Sequence, residues 1–431
     1  MNKKLSGRFW ISLIMFGLMG QIAWVVENMY FNVFIYKMFS ASASDISLMV
    51  AASAVCATLT TVFMGALSDK VGKRKMFICG GYILWGLSIF SFVFLKEDLI
   101  LSAFPFVTSA AALCVTLTVI LDCVMTFFGS TANDAAFNAW LTESTNDSNR
   151  GAAEGVNAMM PLVAILAVFG GFMAFDLDKS ESWTLIFIII GVCVTLMGIV
   201  GIFTIDDSKT VKTDEKYLKT VIYGFRPSTI SSNPALYIYL FAFILFNVSI
   251  QIFMPYLIIY YEVSLGMKDY VLIMAPAIIL ASVVTAFWGR FYDKKGFGIS
   301  ATFSLVWLSL GYILLFAFKS TALVFVGSLF MMCGYLSGMA VFGAKIRSYI
   351  PEGKAGMLQG VRIFSQVLIP GVVGPFIGKT VLKNAELITN NDGTTSFIPN
   401  SNIFAAALVL SVVTGVFLLL CNKAVKKNSA E

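Results

Sequence analysis

Twelve long apolar runs dominate the sequence, and each is close to the roughly 20 residues that a helix needs to cross a bilayer. They cover residues 9–36, 47–67, 76–95, 115–142, 152–176, 182–204, 233–261, 269–291, 298–318, 321–349, 356–380 and 403–422. A further apolar stretch, 99–113, is too short to cross with certainty, and we expect it to extend the fourth helix outward. The sequence therefore predicts an all-α membrane protein with twelve spans.

The low charge content excludes a large water-soluble domain. Of the 431 residues, 58% are hydrophobic and 13% are charged, and the mean hydropathy is +0.85. Soluble domains carry about 25% charged residues. The formal net charge of +6 reflects how cations are distributed between the two sides of the membrane, so we expect no binding to nucleic acid.

No pattern of catalytic or metal-binding residues is present in the sequence. The seven cysteines are scattered singly through apolar runs, and histidine is absent. The glycine-rich spots lie inside apolar helices, where close packing explains them. We therefore expect no enzymatic activity, no cofactor and no metal.

Lysine and arginine are concentrated on one side of the predicted spans. They are frequent in residues 1–8, 70–75, 209–226, 290–295 and 345–354. Such residues mark cytoplasmic loops. The first run is too long for the core of a cleavable signal peptide. We expect a multi-pass protein of the cell membrane with both termini in the cytoplasm.

The loop at residues 65–75, with the sequence GALSDKVGKRK, carries the most specific motif. It resembles the loop between the second and third helices of the major facilitator superfamily, whose pattern is G-x-L-[SA]-D-[RK]-x-G-[RK]-[RK]. Every fixed position of that pattern is met. A generic basic loop on the cytoplasmic side is the alternative interpretation.

An internal repeat supports the same resemblance. Residues 63–72 align without gaps with residues 287–296, and Phe, Gly, Asp, Lys and Gly coincide. Such repeats relate two halves about an axis along the membrane normal. We expect two pseudo-symmetric six-helix bundles at residues 1–205 and 233–431, joined by a cytoplasmic linker at 206–232. This is the major facilitator fold.

Three acids inside apolar runs are candidates for proton or cation coupling: Glu27, Asp134 and Asp122. A charge at mid-bilayer costs roughly 2.5–3.5 kcal/mol on insertion scales, which makes it a functional candidate. Because histidine is absent, the groups that bind a proton near neutral pH would be buried acids. Glu27 is the first candidate and Asp134 is the second. The alternatives are structural ion pairs, with Arg150 as the partner of Asp134.

Polar residues continue along the predicted fourth helix at four-residue steps, at 122, 126, 130, 134 and 138. Asp134-Ala135-Ala136-Phe137 loosely resembles the fourth helix of the melibiose-permease type of glycoside/pentoside/hexuronide cation symporters. That resemblance implies a cation-binding role for Asp134. The second run, however, lacks the family's acids, which favours protons over sodium.

The superfamily resemblance implies a central cavity lined by the first, fourth, seventh and tenth helices. Candidate substrate-binding residues are Trp24, Asn28, Phe31, Asn138, Asn247, Gln251, Tyr256 and Arg362. Trp24, Glu27 and Phe31 are expected on one helical face. Amides beside aromatic rings suit a sugar. The alternatives are that the aromatics serve only packing and that Arg362 extends to the interface.

A third group of residues is expected to control gating. It comprises Gly65, Asp69, Gly72, Arg74, Arg150, Glu154, Gly289, Asp293 and Gly296. Arg150 and Glu154 are four residues apart, a spacing that allows an ion pair on one helical turn. The resemblance implies that they form a cytoplasmic latch with Asp69.

These observations predict a monomeric secondary transporter in the lipid bilayer, which moves a small polar solute by alternating access. Symport of a sugar or oligosaccharide with protons, or with Na⁺, is the leading hypothesis. The first alternative is proton-coupled efflux of amphipathic drugs or lipids. The second is a nutrient sensor that binds its ligand without transport.

Overall fold

The computed structural model describes residues 5–145, 149–207, 222–349, 361–390 and 393–428. Within them, eleven helices are long and apolar enough to cross a membrane. Ten of these have a length that suits one crossing. The eleventh, Val271–Ala317, has 47 residues, and its backbone leaves helical geometry at Gly296, where φ is +75°. It therefore supplies two spans, which confirms the predicted total of twelve.

The chain divides into two compact units at residues 217 and 218. Unit 1 holds the first six membrane helices. These are α1 (Gly7–Phe39), α2 (Ala43–Val71), α3 (Arg74–Phe94), α4 (Ala110–Ser144), α5 (Arg150–Phe172) and α6 (Ser180–Thr204). The predicted bundle and linker boundaries remain a prediction.

Unit 2 holds the other six. These are α7 (Pro234–Ser264), α8 (271–295), α9 (297–317), α10 (Thr321–Ser348), α11 (Val361–Val381) and α12 (Asn402–Asn428). A two-stranded antiparallel hairpin of β1 (Leu387–Thr389) and β2 (Thr395–Phe397) lies between α11 and α12. Short helical turns at Tyr223–Phe225 and Pro227–Ser232 precede α7.

The two units repeat one packing scheme. In unit 1, α1 packs on α5, α3 on α6 and α2 on α4. In unit 2, α7 packs on α11 and on α12, and the continuous α8–α9 helix packs on α10 and α12. Glycines allow the close approaches: a Cβ atom at Gly198 of α6 would lie 2.8 Å from the carbonyl oxygen of Cys79.

Local sequence explains where the helices begin and end. Ser42 and Asp45 form a reciprocal capping box at the start of α2. Gly72 ends α2 with φ at +67°, a conformation that favours glycine. The loop motif at 65–75 therefore includes the last turns of α2 as well as the turn into α3.

The expectation for residues 99–113 is wrong for 99–109 and holds for 110–113. Glu97–Ala103 forms a separate short helix, and α4 begins at Ala110. Pro105 disfavours a helical conformation at Phe104, where the short helix ends.

Among the described residues, four membrane helices contain π-helical segments, with wider turns than an α-helix. They are Val26–Tyr30 in α1, Ser130–Phe137 in α4, Tyr260–Ser264 in α7 and Phe364–Leu368 in α11. Such segments are rare and are frequently found at functional sites. Two of them carry predicted coupling acids, namely Glu27 and Asp134.

Candidate functional site

The side chain of Glu27 lies inside unit 1, where only 6% of the residue is exposed. Its Oε1 atom accepts hydrogen bonds from Ser53 Oγ of α2, at 2.6 Å, and from Thr126 Oγ1 of α4, at 2.9 Å. The two hydroxyl groups lie 3.0 Å apart. Glu27 thus connects α1 to α2 and α4 through two hydroxyl donors.

The second oxygen of Glu27, Oε2, is buried and has no hydrogen-bond partner among the described residues. Asp122, one turn before Thr126 on α4, is 2% exposed, and its Oδ1 atom likewise lacks a partner there. Unit 1 therefore contains two buried acids that each keep one oxygen available.

Asp134 lies further along α4, in the π-helical segment, and is half-buried. Its Oδ2 atom accepts a hydrogen bond from Ser130 Oγ at 2.9 Å. The predicted polar row on α4 is thus buried at Asp122 and Thr126, half-buried at Asp134 and exposed at Asn138. It leads from the interior of unit 1 to its surface.

No described lysine or arginine side chain lies within 4 Å of Glu27, Asp122 or Asp134. The alternative of an ion pair at Glu27 thus has no support among the described residues. The alternative partner of Asp134, Arg150, has a side chain outside the described part. A buried carboxylate without a cation beside it is costly, and hydroxyl donors offset only part of that cost.

The predicted substrate-binding residues of unit 1 separate into two groups. Asn28 and Asn138 are exposed, and each donates its amide to the carbonyl oxygen four residues earlier, at 2.7 and 3.1 Å. Trp24 is half-buried against Trp85, with ring centroids 5.0 Å apart. Its indole nitrogen has no partner in the described part of the chain.

Phe31 belongs to the second group and corrects the expected helical face. It is 1% exposed and packs on Phe92 of α3 and Phe187 of α6, with centroids at 4.7 and 5.7 Å. Glu27 instead faces α2 and α4. The π-helical segment between Glu27 and Phe31 adds a residue to the turn, so four-residue spacing no longer keeps both on one face.

In unit 2, Asn247 is 6% exposed and donates to the carbonyl oxygen of Phe243 at 2.8 Å. Gln251 is half-buried one turn later and lies beside Gly374 of α11. A Cβ atom added to Gly374 would lie only 2.4 Å from the Cβ atom of Gln251. Tyr256 is fully buried and contacts Phe397 of β2. The predicted site residues of α7 therefore lie mostly inside unit 2, and Arg362 of α11 is half-buried.

The loop motif forms a charged cluster at one end of unit 1, which we call the basic end. Arg74 is 3% exposed and forms ion pairs with Asp69 and with Glu143 of α4. Its Nε atom lies 3.2 Å from Glu143 Oε2, and its Nη2 atom lies 2.6 Å from Oε1. Arg74 also donates to Ser68 Oγ. This cluster joins the α2–α3 loop to the end of α4.

The other predicted gating residues are distributed as follows. Ser68 Oγ donates to the carbonyl oxygen of Gly65 at 3.0 Å. Gly289 has open space around it, Asp293 is exposed, and Gly296 has a positive φ. The side chains of Arg150 and Glu154, expected to form the latch with Asp69, lie outside the described residues.

Two residues of these clusters were missed from the sequence. Glu143 follows Asn138 by five residues and falls off the four-residue spacing of the polar row, although an acid near a basic loop was a usable signal. Ser53 lies between two alanines in the second run, where a single serine carries no recognisable signal.

The sequence and structure were compared with known proteins. The family model described as Major Facilitator Superfamily matches residues 9–375. No curated protein matches the chain.

Similar solved structures include the nucleoside transporter NupG, with 11% identity and a TM-score of 0.70, covering 96% of this chain and 99% of that one. Another is a bacterial homolog of the human lysosomal transporter Spinster, in an inward-facing and occupied conformation. It has 15% identity and a TM-score of 0.69, and the match covers 97% of this chain and 98% of that one. At these identities the likeness shows the fold alone.

Proposed function

Since the chain belongs to the major facilitator superfamily, whose members are transporters, we propose that it is a proton-coupled symporter of a small polar solute. A sugar or oligosaccharide is the proposed solute class, and alternating access is the proposed mechanism. We place the basic end of unit 1 and both termini in the cytoplasm, and the protein in the cell membrane.

The geometry of Glu27 carries this proposal. Its carboxyl group is buried among hydroxyl donors, has one oxygen available and has no described cation beside it. Such a group is stable in the membrane when it binds a proton, and it can release that proton once water reaches it. Each charge that moves across 100 mV is worth about 2.3 kcal/mol, which is sufficient to drive accumulation.

Asp122 and Asp134 extend the proposed proton path. Asp122 adds a second buried carboxyl oxygen without a described partner, and Asp134 lies toward the exposed end of the same helix. In this proposal a proton moves between the exposed end of α4 and Glu27 by way of Asp134, and Asp122, on the other side of Thr126, can share it with Glu27. Sodium is the alternative coupling ion.

The exposed amides support a solute rich in hydroxyl groups. The side-chain amides of Asn28 and Asn138 each donate one N–H to the helix backbone. Their side-chain carbonyl oxygens remain as acceptors. Sugar hydroxyls are suitable donors, and the ribose of a nucleoside offers the same groups. Trp24 supplies an aromatic face, and we propose Asn247, Gln251, Tyr256 and Arg362 as contacts from unit 2.

One observation favours the alternative of efflux. Trp24, three residues before Glu27 on α1, forms an aromatic pair with Trp85 of α3, and an apolar face near an acid suits an amphipathic compound. This hypothesis predicts outward movement of amphiphiles in exchange for protons.

Reconstitution into liposomes that contain a pH-sensitive dye tests the proposal. Sugars, nucleosides and amphiphiles are added in turn, under an imposed pH gradient. A dye response to one class identifies the solute and proton coupling together. No response to any class, with sodium-dependent uptake instead, would contradict proton coupling.

Glu27→Gln tests the residue itself. The amide cannot exchange a proton, so we expect the variant to lose concentrative uptake while it keeps downhill exchange. Glu181→Gln, at an exposed position in the first turn of α6, is the matched control. Unchanged pH-driven accumulation in Glu27→Gln would remove Glu27 from the mechanism.

A further inference from the structure

Three aromatic rings surround the ammonium group of Lys345, near the end of α10 in unit 2. The Nζ atom lies 4.6 Å from the centroid of Tyr349, 5.0 Å from that of Tyr239 and 5.7 Å from that of Phe297. All three distances are within the roughly 6 Å at which a cation is attracted to a ring face. No described carboxylate lies within 4 Å of this ammonium group.

The rings come from different parts of unit 2. Tyr239 belongs to α7, Phe297 begins α9 directly after Gly296, and Tyr349 follows α10. Tyr239 stacks on Tyr349, with centroids 5.3 Å apart, and meets Phe297 edge to face at 4.9 Å. Tyr239 and Phe297 are 4% and 7% exposed. Lys345 therefore connects the end of α10 to α7 and to the start of α9.

The position of this cage corresponds to that of the Arg74 cluster. Gly72 aligns with Gly296 in the internal repeat, so the starts of α3 and α9 are equivalent. Arg74 connects the start of α3 to Glu143 at the end of α4. Lys345, at the end of α10, contacts Phe297 at the start of α9. Both units thus hold a cation at the same junction, with carboxylate partners in one and aromatic partners in the other.

We propose that Lys345 and its three rings form a cation–π latch, which holds the start of α9 and the preceding loop against α10 and α7. The latch is a gating device of unit 2, and its effect on flux rests on the proposed transport function. Its chemistry differs from that of an ion pair. Aromatic rings attract any cation of suitable shape, so a guanidinium group can replace the ammonium and an uncharged side chain cannot.

Hydrogen–deuterium exchange of the purified full-length protein, followed by mass spectrometry, tests the latch without any substrate. Lys345→Met keeps the length of the side chain and removes its charge. We expect backbone amides of residues 297–305 to exchange about 5- to 30-fold faster, in line with one cation–π contact. Lys345→Arg should exchange like the natural protein, as should Lys319→Met, a control at an exposed position.

A double-variant cycle with Tyr239→Leu isolates the contact between cation and ring. If the latch exists, Lys345→Met adds little further exchange once Tyr239 is replaced. Additive effects would overturn the proposal, as would equal exchange in Lys345→Met and Lys345→Arg. If exchange responds as expected while liposomes show no flux of any solute, the latch stands and the proposed transport function fails.

Discussion

Unit 1 and unit 2 share a helix arrangement but differ in the chemistry of their interiors. Unit 1 buries Glu27, Asp122 and Arg74. In the described part of unit 2, every buried polar side chain is neutral, as with Asn247 and a series of serines. The fold therefore depends on apolar packing and close helix contacts, which both units have. Buried charges are not needed for the fold, so they can serve another role in unit 1.

Several neutral groups of unit 2 form hydrogen bonds, although the buried Ser300 Oγ and Trp288 Nε1 atoms have no partner in the described part of the chain. Ser249 Oγ donates to the carbonyl oxygen of Ala407 at 2.9 Å and lies 3.1 Å from the hydroxyl of Tyr312. Ser337 donates to Ser304 at 2.8 Å. Glu27 and Asp122 of unit 1, in contrast, keep oxygens that no described group contacts. A hydrogen bond between neutral groups stabilises a structure, whereas a buried carboxyl oxygen without a partner can accept a proton.

Arg74→Met is expected to have the largest effect, because it removes the partner of two acids in unit 1. Breaking a buried charge pair costs about 3–5 kcal/mol. The variant should lose thermal stability in detergent by a corresponding amount. Arg290→Met, at an exposed position in the last turns of α8, should change it by less than about 0.5 kcal/mol. Equal losses in both variants would erase the contrast between the two units.

Ser53→Ala tests whether a hydroxyl group bonded to an acid matters more for solute accumulation than a hydroxyl group bonded to another hydroxyl. A hydrogen bond to a charged group contributes about 1.5–3 kcal/mol. With Thr126 retained, we expect solute accumulation to fall about tenfold while downhill exchange persists. Ser309→Ala, which breaks a 3.0 Å contact with Ser411 in unit 2, should leave accumulation unchanged. A similar loss in both variants would show that coupling is not confined to unit 1.

Gly334→Ala tests the close helix packing that both units share. The new Cβ atom would lie 2.4 Å from the backbone nitrogen of Leu308, and overpacking of this kind costs about 1–3 kcal/mol. Gly343→Ala, in the same helix with open space around it, should be neutral or stabilising by up to about 1 kcal/mol. Thermal unfolding of both variants measures the difference. The comparison fails if Gly343→Ala is the more damaging.

Asp176→Asn should have the smallest effect, because this unit 1 charge lies in an exposed loop. The backbone N–H of Asp178 and the ammonium of Lys179 lower the pKa of Asp176 below its usual value. Its contribution to stability is therefore present above the pKa of the unfolded chain, and is lost as the pH falls through the lower folded value. Between about pH 5 and 8 the difference in melting temperature between Asp176→Asn and the natural protein should not change with pH. A clear shift would mean that exposed charges matter as well.

Much of the fold was predictable because it depends on lengths and on repeated glycines. Twelve runs of sufficient length predicted twelve spans, and the repeated loop predicted two equivalent bundles. The site was harder to predict, because contacts depend on which faces of the helices meet. Nothing in the sequence shows that Ser53 meets Glu27. The π-helical segment in α1 moved Phe31 off the expected face, and a wide turn leaves no mark in the hydrophobic pattern.

The wide turn in α1 also affects how Glu27 can change neighbours. It holds one residue more than an ordinary turn. Helix geometry allows this wide turn to form at any position along the helix. When the wide turn moves past a residue, that residue advances by 1.5 Å and rotates by about 100°, since an α-helix has 3.6 residues per turn. Glu27, at the second position of the segment, needs only a short migration of this kind. The carboxyl group would then turn to a different neighbour while both ends of the helix stay in place.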